Sequence, residues 1–200
     1  MNNNDELIYK RSTSNSELNV ENRNVSGYAI VFDRWSDGLP FKEIICKGAI
    51  DEDTIKRSDV FARLNHSDDF ILARSKFGDG SLKLTIDSKG LRYSFTAPNN
   101  MYGDLLLSQI QRGEIDSSSF AFTLADGGQE IKRGENGELL HYVKKIDRLF
   151  DVSPVYQAAY SATDCFNRNV DEAEAFKKLL ENKECLDKLN SIETEFLLNL

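Results

Sequence analysis

The sequence predicts an α+β protein, with a β-barrel flanked by helices and followed by a helical C-terminal tail. Short runs in which apolar and polar residues alternate recur along most of the chain, which is typical of half-buried strands. The last part of the chain instead has apolar residues at helical spacing. We therefore expect a flexible arm over 1–26, a main domain over 27–165 and a helical tail over 166–200.

The first part of the chain changes character at Gly27. Residues 1–26 are rich in Asn, Ser and charged side chains, which predicts a flexible arm with at most one short strand, at Glu6–Lys10. The run Tyr28–Phe32 is aromatic and β-branched, as expected of a buried strand. After the loop signals of Asp33–Pro40, the sequence predicts a strand and a short helical turn, over Phe41–Cys46 and Ala49–Arg57.

The middle of the chain has the most regular pattern. Val60–Leu64 is a strand-like run that leads into the polar cluster Asn65–Asp69. Alternating apolar residues on both sides of a turn at Ser88–Gly90 predict a β-hairpin. Met101–Gln111 has apolar residues at helical spacing, and Gly113 just beyond it is a suitable C-cap.

Strands resume after this helix and give way to the tail. Alternation predicts strands at Ser117–Leu124, His141–Ile146 and Leu149–Tyr156. In the tail, apolar residues over 170–196 fall at three- and four-residue steps, which predicts an amphipathic helical segment with a break near Asn190-Ser191. The apolar face of this segment must be buried, either on the domain or on a partner helix.

The charge balance argues against two classes of partner. The chain has 25 Lys and Arg against 33 Asp and Glu, a net charge of -8. An acidic chain with no basic cluster is a poor match for nucleic acid or for an anionic membrane. No apolar stretch is long enough for a transmembrane helix or resembles a signal peptide, so we expect the protein to stay in the cell that makes it.

The chain has only two histidines, and these limit the choice of a catalytic base. A serine hydrolase needs an accessible hydroxyl, an imidazole that accepts its proton, and an acceptor for the second ring nitrogen. His66 lies in a polar loop directly after a strand, where a rigid scaffold can present it to a cleft. His141 lies in a strand-like run, where a structural role is the better default.

Strand alternation divides the serines of the segment Ser117-Ser118-Ser119. If Phe120 and Phe122 face the interior, Ser118 faces it with them, while Ser117 and Ser119 point to the other side. Alternation does not choose between these two. From the residues alone, polar strand or turn residues explain the run better than a nucleophile does.

From Gly27 to about Thr163 the sequence resembles the prohead proteases of tailed phages, a family related to the herpesvirus assembly proteases. The similar segments occur in the family's order. They are Gly27–Phe32, like the opening strand; Lys47–Ile50, like the Gly-Ala-Phe turn; Leu64–Ser67, like the Asn-His-Asp segment with the catalytic histidine; Leu72–Ser75 and Gly80–Leu84, like the stretch after it; Arg112–Phe122, like the nucleophile motif; and Leu149–Val155 with Ala158–Tyr160, like the Glu-Val-Ser-Pro-Val…Pro-Ala-Tyr signature.

The resemblance implies catalytic roles for His66 and Ser119, because the family's attacking serine immediately precedes Phe-x-Phe. It implies Asp151 as the third member, where the family usually has glutamate, since a carboxylate there can hold the ring of His66. His141 is the rival third member, because the herpesvirus relatives use a second histidine. The alternative for Asp151 is a strand-end cap or a salt bridge, for instance with Arg148.

Two further features of the resemblance concern the neighbourhood of the nucleophile. Ser117 and Ala121 stand where the family often has glycine, so the backbone there is less free. The oxyanion donors stay open between backbone amides beside Ser119 and the guanidinium of Arg74.

The resemblance also implies a biological role and a set of partners. A protease of this kind has a fold like the herpesvirus protease barrel and needs no cofactor or metal. It is packaged in the procapsid, within the host cytoplasm, where it cuts scaffold and capsid-protein extensions and then itself. The expected partners are the major capsid protein precursor, the scaffold and further copies of the chain, with no nucleic acid and no membrane. The alternative is a catalytically inactive assembly or scaffold protein that keeps the protease fold.

Overall fold

The structure, a computed structural model, describes residues 7–13, 16–36, 39–156 and 171–183. Within these residues the helices are α1 (Glu52–Arg57), α2 (Met101–Gln111) and α3 (171–183). The strands are β1 (Tyr9–Thr13), β2 (Asn19–Glu21), β3 (Asn24–Val31), β4 (Lys42–Ile45), β5 (Asp59–Arg63), β6 (Ile71–Lys76), β7 (Asp79–Gly80), β8 (Lys83–Ile86), β9 (Gly90–Thr96), β10 (Ile115–Leu124), β11 (Gln129–Arg133), β12 (Leu139–Val143) and β13 (Ile146–Tyr156).

The largest sheet has six strands in the order β1-β10-β13-β5-β6-β7. Its neighbours are antiparallel except β13 and β5, which run parallel. The long strands β10 and β13 lie inside this sheet, and nearly every residue of β10 is buried. The serines of β10 are therefore packed within the protein, whichever face of the sheet they occupy.

The remaining strands form two smaller sheets, β2-β3-β9-β8 and β11-β12-β4. Three sheets with few helices make an α+β fold, which confirms the predicted class. Over the described residues no closed barrel is found, because in none of the three sheets do the first and last strands pair with each other. In the same part of the chain, no helix has the length and apolar content needed to cross a bilayer.

A single buried cluster of apolar side chains joins the sheets and the helices. Ile30 of β3, Tyr93 of β9, Phe122 of β10 and Ile55 of α1 all belong to it. The side chains of the three sheets thus share one core, which holds the strands that carry the candidate site in fixed positions.

The helix predicted at Met101–Gln111 is confirmed as α2, with the same bounds. Its N-cap is Asn100, whose side chain accepts hydrogen bonds from the amides of Tyr102 and Gly103. Gly113 has a φ of +72° and donates its amide to the carbonyl of Ile110, as expected of a glycine that ends a helix.

The stretch predicted to be a flexible arm, 1–26, supplies β1, β2 and the start of β3. β1 pairs with β10 from Tyr9 to Thr13, and its buried Tyr9 stacks on Phe122. The composition of this stretch is polar, but strand pairing and one buried aromatic ring are sufficient to order residues 9–13.

The predicted amphipathic tail is described only over α3. Ala173, Phe176 and Leu180 of α3 are buried in the common core, so this part of the apolar face packs on the domain itself. Both the predicted domain boundary at 165 and the predicted break near Asn190-Ser191 lie outside the described residues.

Candidate active site

The loop that carries His66 follows β5 and has a tight, left-handed backbone. Asn65 has a φ of +50° and His66 a φ of +61°, in the region that non-glycine residues rarely adopt. The loop closes on itself through hydrogen bonds from the amide of Leu64 to the carbonyl of Phe70 (3.0 Å) and from that of Ser67 to Leu64 (3.1 Å). These bonds stabilise the backbone that turns the His66 side chain back over the sheet.

Two further contacts fix this loop to its neighbours. The amide of Asn65 donates to the carbonyl of Pro154 on β13, at 3.2 Å. The ring of Phe70 packs on that of Tyr102 in α2, with centroids 4.5 Å apart. The loop is thus attached to both the central sheet and the helix that precedes β10.

His66 lies close to Asp151, the residue that the resemblance to prohead proteases pairs with it. Asp151 lies on β13 beside Phe61 of β5, and His66 Nδ1 is 3.0 Å from Asp151 Oδ1. No donor among the described residues is aligned with Oδ1, so this approach has the length of a hydrogen bond without its direction. The His66 side chain is 26% exposed and that of Asp151 5%, which places the imidazole at the surface over a buried carboxylate.

The second oxygen of Asp151 is bound by Arg63, a residue that the sequence analysis missed. Arg63 Nη1 donates to Asp151 Oδ2 at 2.7 Å. Arg148, the expected partner in a purely structural salt bridge, instead lies 3.7 Å from its neighbour Asp147. Alternation along β5 could have identified Arg63 as a residue of this site. Val60 and Ala62 are buried, so Arg63 faces the other side of the strand.

Ser119 lies on β10 between Ser12 of β1 and Ser153 of β13. It is 2% exposed, and its hydroxyl donates to the carbonyl of Arg11 at 2.7 Å. A serine nucleophile needs an accessible hydroxyl. In the structure the hydroxyl is buried because β1 pairs along β10 at this residue and supplies it with an acceptor.

Ser119 and the His66–Asp151 pair share one face of the sheet. Ser119 is directly opposite Ser153, and Ala121 is directly opposite Asp151, on adjacent antiparallel strands. Side chains in such diagonal positions are separated by roughly 7 to 8 Å. Within the described residues no hydrogen bond joins Ser119 to His66, so the structure brings the two to the same face but not into contact.

The two neighbouring serines have other partners. Ser118 points to the opposite face, where its hydroxyl is 2.8 Å from that of Tyr93, in agreement with the predicted alternation. Burial raises the pKa of Tyr93, so its hydroxyl stays protonated and can donate to Ser118. Ser117 donates to Asp116 Oδ1 at 2.7 Å.

His141, the rival third member, lies in a different sheet. It is fully buried on β12, with Nδ1 2.9 Å from Glu43 Oε2 and Nε2 2.8 Å from Gln129 Oε1. None of the contacts found in the described part of the chain links it to His66 or Asp151. His141 belongs instead to a closed polar cluster in the core.

An arginine completes the cluster around His141. Arg11 Nε is 2.6 Å from Glu43 Oε1, and Arg11 Nη2 is 2.8 Å from Glu172 of α3. Burial would raise the pKa of Glu43, but the charge of Arg11 and hydrogen bonds from His141 and Arg11 outweigh it and lower the pKa to about 2. Glu43 is therefore an ionised, paired carboxylate inside the protein.

Arg74 is not placed to stabilise an oxyanion at Ser119. Its guanidinium binds both carboxylate oxygens of Asp59 and lies over the ring of Phe61, 4.7 Å from the centroid. β6, which carries Arg74, is separated from β10 by β5 and β13. No group of three or more His, Cys, Asp or Glu side chains in the described ranges could hold a metal ion.

The comparison with protein families decides the family of the chain. A family model described as the caudovirus prohead serine protease matches residues 10–177. The chain belongs to this family. Neither the curated proteins nor the solved structures gave a match. Membership in the prohead protease family makes the chain, at family level, a phage serine peptidase of capsid maturation that associates with capsid proteins in the procapsid.

Proposed function

We propose that this prohead protease is an endopeptidase with Ser119 as nucleophile, His66 as general base and Asp151 as the carboxylate that orients the imidazole. The observation that carries the proposal is the 3.0 Å approach of His66 Nδ1 to Asp151 Oδ1, on the face of the sheet that also bears Ser119. The Asp151 side chain is shorter than that of the glutamate that the family usually has here, but from β13 it still comes within 3.0 Å of the His66 ring.

The position of Asp151 assigns roles to the two ring nitrogens. With Nδ1 turned toward the carboxylate, Nε2 is the atom available to accept the proton of the Ser119 hydroxyl. The Ser119 oxygen then attacks the scissile carbonyl, and the protonated Nε2 gives its proton to the leaving amine. Water then attacks the acyl-enzyme: His66 takes a proton from the water and gives it to the departing Ser119 oxygen. The Asp151 carboxylate stabilises the imidazolium during both acylation and deacylation.

The conformation of Ser119 in the structure is a resting one. Its hydroxyl donates to the carbonyl of Arg11 and is shielded from solvent. For catalysis the hydroxyl must turn from Arg11 toward His66. The residues that cover Ser119, β1 among them, must also move far enough to admit a peptide. Loose geometry in the absence of substrate is common among catalytic groups and does not argue against the assignment.

The substrates that we propose are the extensions of the capsid protein precursor, the scaffold and the chain itself. They follow from family membership and from the endopeptidase chemistry of the proposed site. Self-association in the procapsid and a fold like that of the herpesvirus proteases are parts of the same proposal.

A second candidate function is a catalytically inactive assembly protein that keeps the protease fold. The observation that favours it is the burial of Ser119 together with its bond to Arg11. Such a protein would retain the Arg63–Asp151 salt bridge for stability alone and would leave capsid proteins uncut.

Co-expression with the capsid protein precursor separates the two candidates. Ser119→Ala should abolish cleavage of the precursor and any self-cleavage visible by mass spectrometry. Ser117→Ala is the matched control, since it makes the same substitution on the same strand and removes a hydroxyl that donates to its neighbour Asp116. Processing that persists in Ser119→Ala, or that stops equally in Ser117→Ala, would contradict the assignment of the nucleophile.

A further inference from the structure

We propose that Arg63 is a positioning residue that holds the Asp151 carboxylate in the orientation in which it faces His66. The inference rests on the proposed function, in which Asp151 acts on the imidazole. Arg63 does not itself touch the reacting atoms, so its effect must pass through Asp151.

The contacts of the carboxylate show how Arg63 would act. One oxygen, Oδ2, accepts a hydrogen bond from Arg63 Nη1 at 2.7 Å, while the other, Oδ1, faces His66 Nδ1 at 3.0 Å. A carboxylate is planar, so a strong charge-assisted bond at one oxygen also fixes the direction of the other. Without Arg63 the Asp151 carboxylate would be free to rotate away from His66.

Arg63 is itself held in place from several sides. Its guanidinium lies over the ring of Phe61, 4.6 Å from the centroid, and Nε is 3.1 Å from Oδ1 of Asp68 in the His66 loop. Its backbone amide donates to the hydroxyl of Ser153, the residue opposite Ser119. One residue thus links the His66 loop, Asp151 and the strand position beside the nucleophile.

Arg63 also brings a positive charge to the surroundings of His66. The charged groups that the structure brings to this site are Asp151 from β13, Arg63 from β5 and Asp68 from the loop itself, with Asp69 next in the chain. Arg63 compensates part of the negative charge of Asp151 and Asp68. If that positive charge is removed, the negative charges that remain stabilise the imidazolium of His66, so His66 should be protonated at higher pH.

Arg74 supplies a matched control. Its guanidinium also lies over the ring of Phe61 and binds a carboxylate, that of Asp59, but β5 and β13 separate its strand from β10. An arginine with a purely structural role should affect cleavage in the same way at both positions. Arg74→Gln therefore reports what the loss of an arginine–carboxylate pair does to folding, and Arg63→Gln what its loss does to the reaction.

The test compares purified Arg63→Gln, Arg63→Lys and Arg74→Gln in cleavage of the capsid protein precursor across pH. We expect Arg63→Gln to lower kcat by roughly 10²-fold, the cost of a misplaced catalytic group, with little change in KM. The acid limb of its pH–rate profile should move to higher pH. Arg63→Lys keeps the charge and should restore the position of the acid limb and part of kcat, whereas Arg74→Gln should change neither per folded molecule.

A second readout keeps this inference separate from the proposed function. In the Ser119→Ala background, the ring resonances of His66 should titrate at higher pH after Arg63→Gln and not after Arg63→Lys. If Ser119→Ala still cleaves, the proposed function fails, while the titration still decides the role of Arg63. An unchanged titration and an unchanged kcat in Arg63→Gln, or the same changes in Arg74→Gln, would overturn the inference.

Discussion

Each of the two histidines lies in a cluster with a carboxylate and an arginine, but the two clusters differ in their access to solvent. His66 faces Asp151, which binds Arg63, and His141 faces Glu43, which binds Arg11. In both, a carboxylate lies between an arginine and an imidazole. The residue types alone therefore do not tell a catalytic cluster from a structural one.

The difference lies in what surrounds each imidazole. His141 is fully buried and both its nitrogens have partners, Glu43 and Gln129. His66 is 26% exposed, and among the described residues only Nδ1 has a polar partner. A closed cluster can contribute stability and specificity, whereas an open one keeps a nitrogen available for proton transfer.

The largest effect should separate the histidines in a cleavage assay. His66→Gln removes the proposed base and should lower the cleavage rate by on the order of 10⁴-fold, as loss of a triad member does. His141→Gln should leave cleavage within a few-fold of the wild type per folded molecule, because its ring contacts neither Ser119 nor Asp151. Rates are measured on the capsid protein precursor, with thermal unfolding to count the folded fraction. Equal losses of cleavage rate in His66→Gln and His141→Gln would contradict the distinction between a catalytic and a structural histidine.

The next effect concerns stability. Arg11→Met leaves Glu43 buried without its cation and should lower the free energy of unfolding by about 3–5 kcal/mol. Arg63→Met should be less destabilising, because the Arg63 side chain is 20% exposed and its loss leaves Asp151 nearer to water. Urea denaturation of both variants measures the difference. A larger loss at Arg63 than at Arg11 would show that the open cluster is the more important for folding.

The smallest effect is a pH dependence of stability that comes from the closed cluster. The pKa of Glu43 is lowered from 4.5 to about 2, so its contribution is present above pH 4.5 and is lost as the pH falls toward 2. The loss is on the order of 3 kcal/mol for a shift of this size. Burial raises the pKa of Glu172, which offsets part of this change.

The comparison for this prediction is Glu43→Gln, measured by urea denaturation between pH 5 and pH 2. The variant should lose less stability than the wild type as the solution is acidified. A slope in Glu43→Gln as steep as that of the wild type would place the acid sensitivity in other carboxylates, of which Asp51 is one candidate.

Much of the local structure could be predicted from the sequence, because it depends on local signals. α2 and its glycine cap follow from apolar spacing and from Gly113, and the strand that carries the serines follows from alternation. The proximity of His66 and Asp151 could be predicted only from the resemblance to prohead proteases, since the two residues are far apart in the chain and no periodicity relates them.

Other features depend on pairing between distant segments and could not be predicted. The sequence predicts a short strand at Glu6–Lys10, but β1 extends to Thr13 because residues 9–13 pair along the edge of β10. The resulting bond from Ser119 to Arg11, and the choice of Arg63 rather than Arg148 as the partner of Asp151, follow from the order of strands in the sheet. Among the described residues no closed barrel is found, and alternation could not predict this because it identifies strands but not the sheets they join.

Labelling with a fluorophosphonate probe tests the central claim most directly. Intact-mass and peptide-mapping spectrometry should find one adduct in the wild type, on Ser119. The adduct should be lost in His66→Gln and kept in His141→Gln. An adduct on another serine, or labelling of Ser119 that persists without His66, would contradict the assignment of His66 and Ser119 as base and nucleophile.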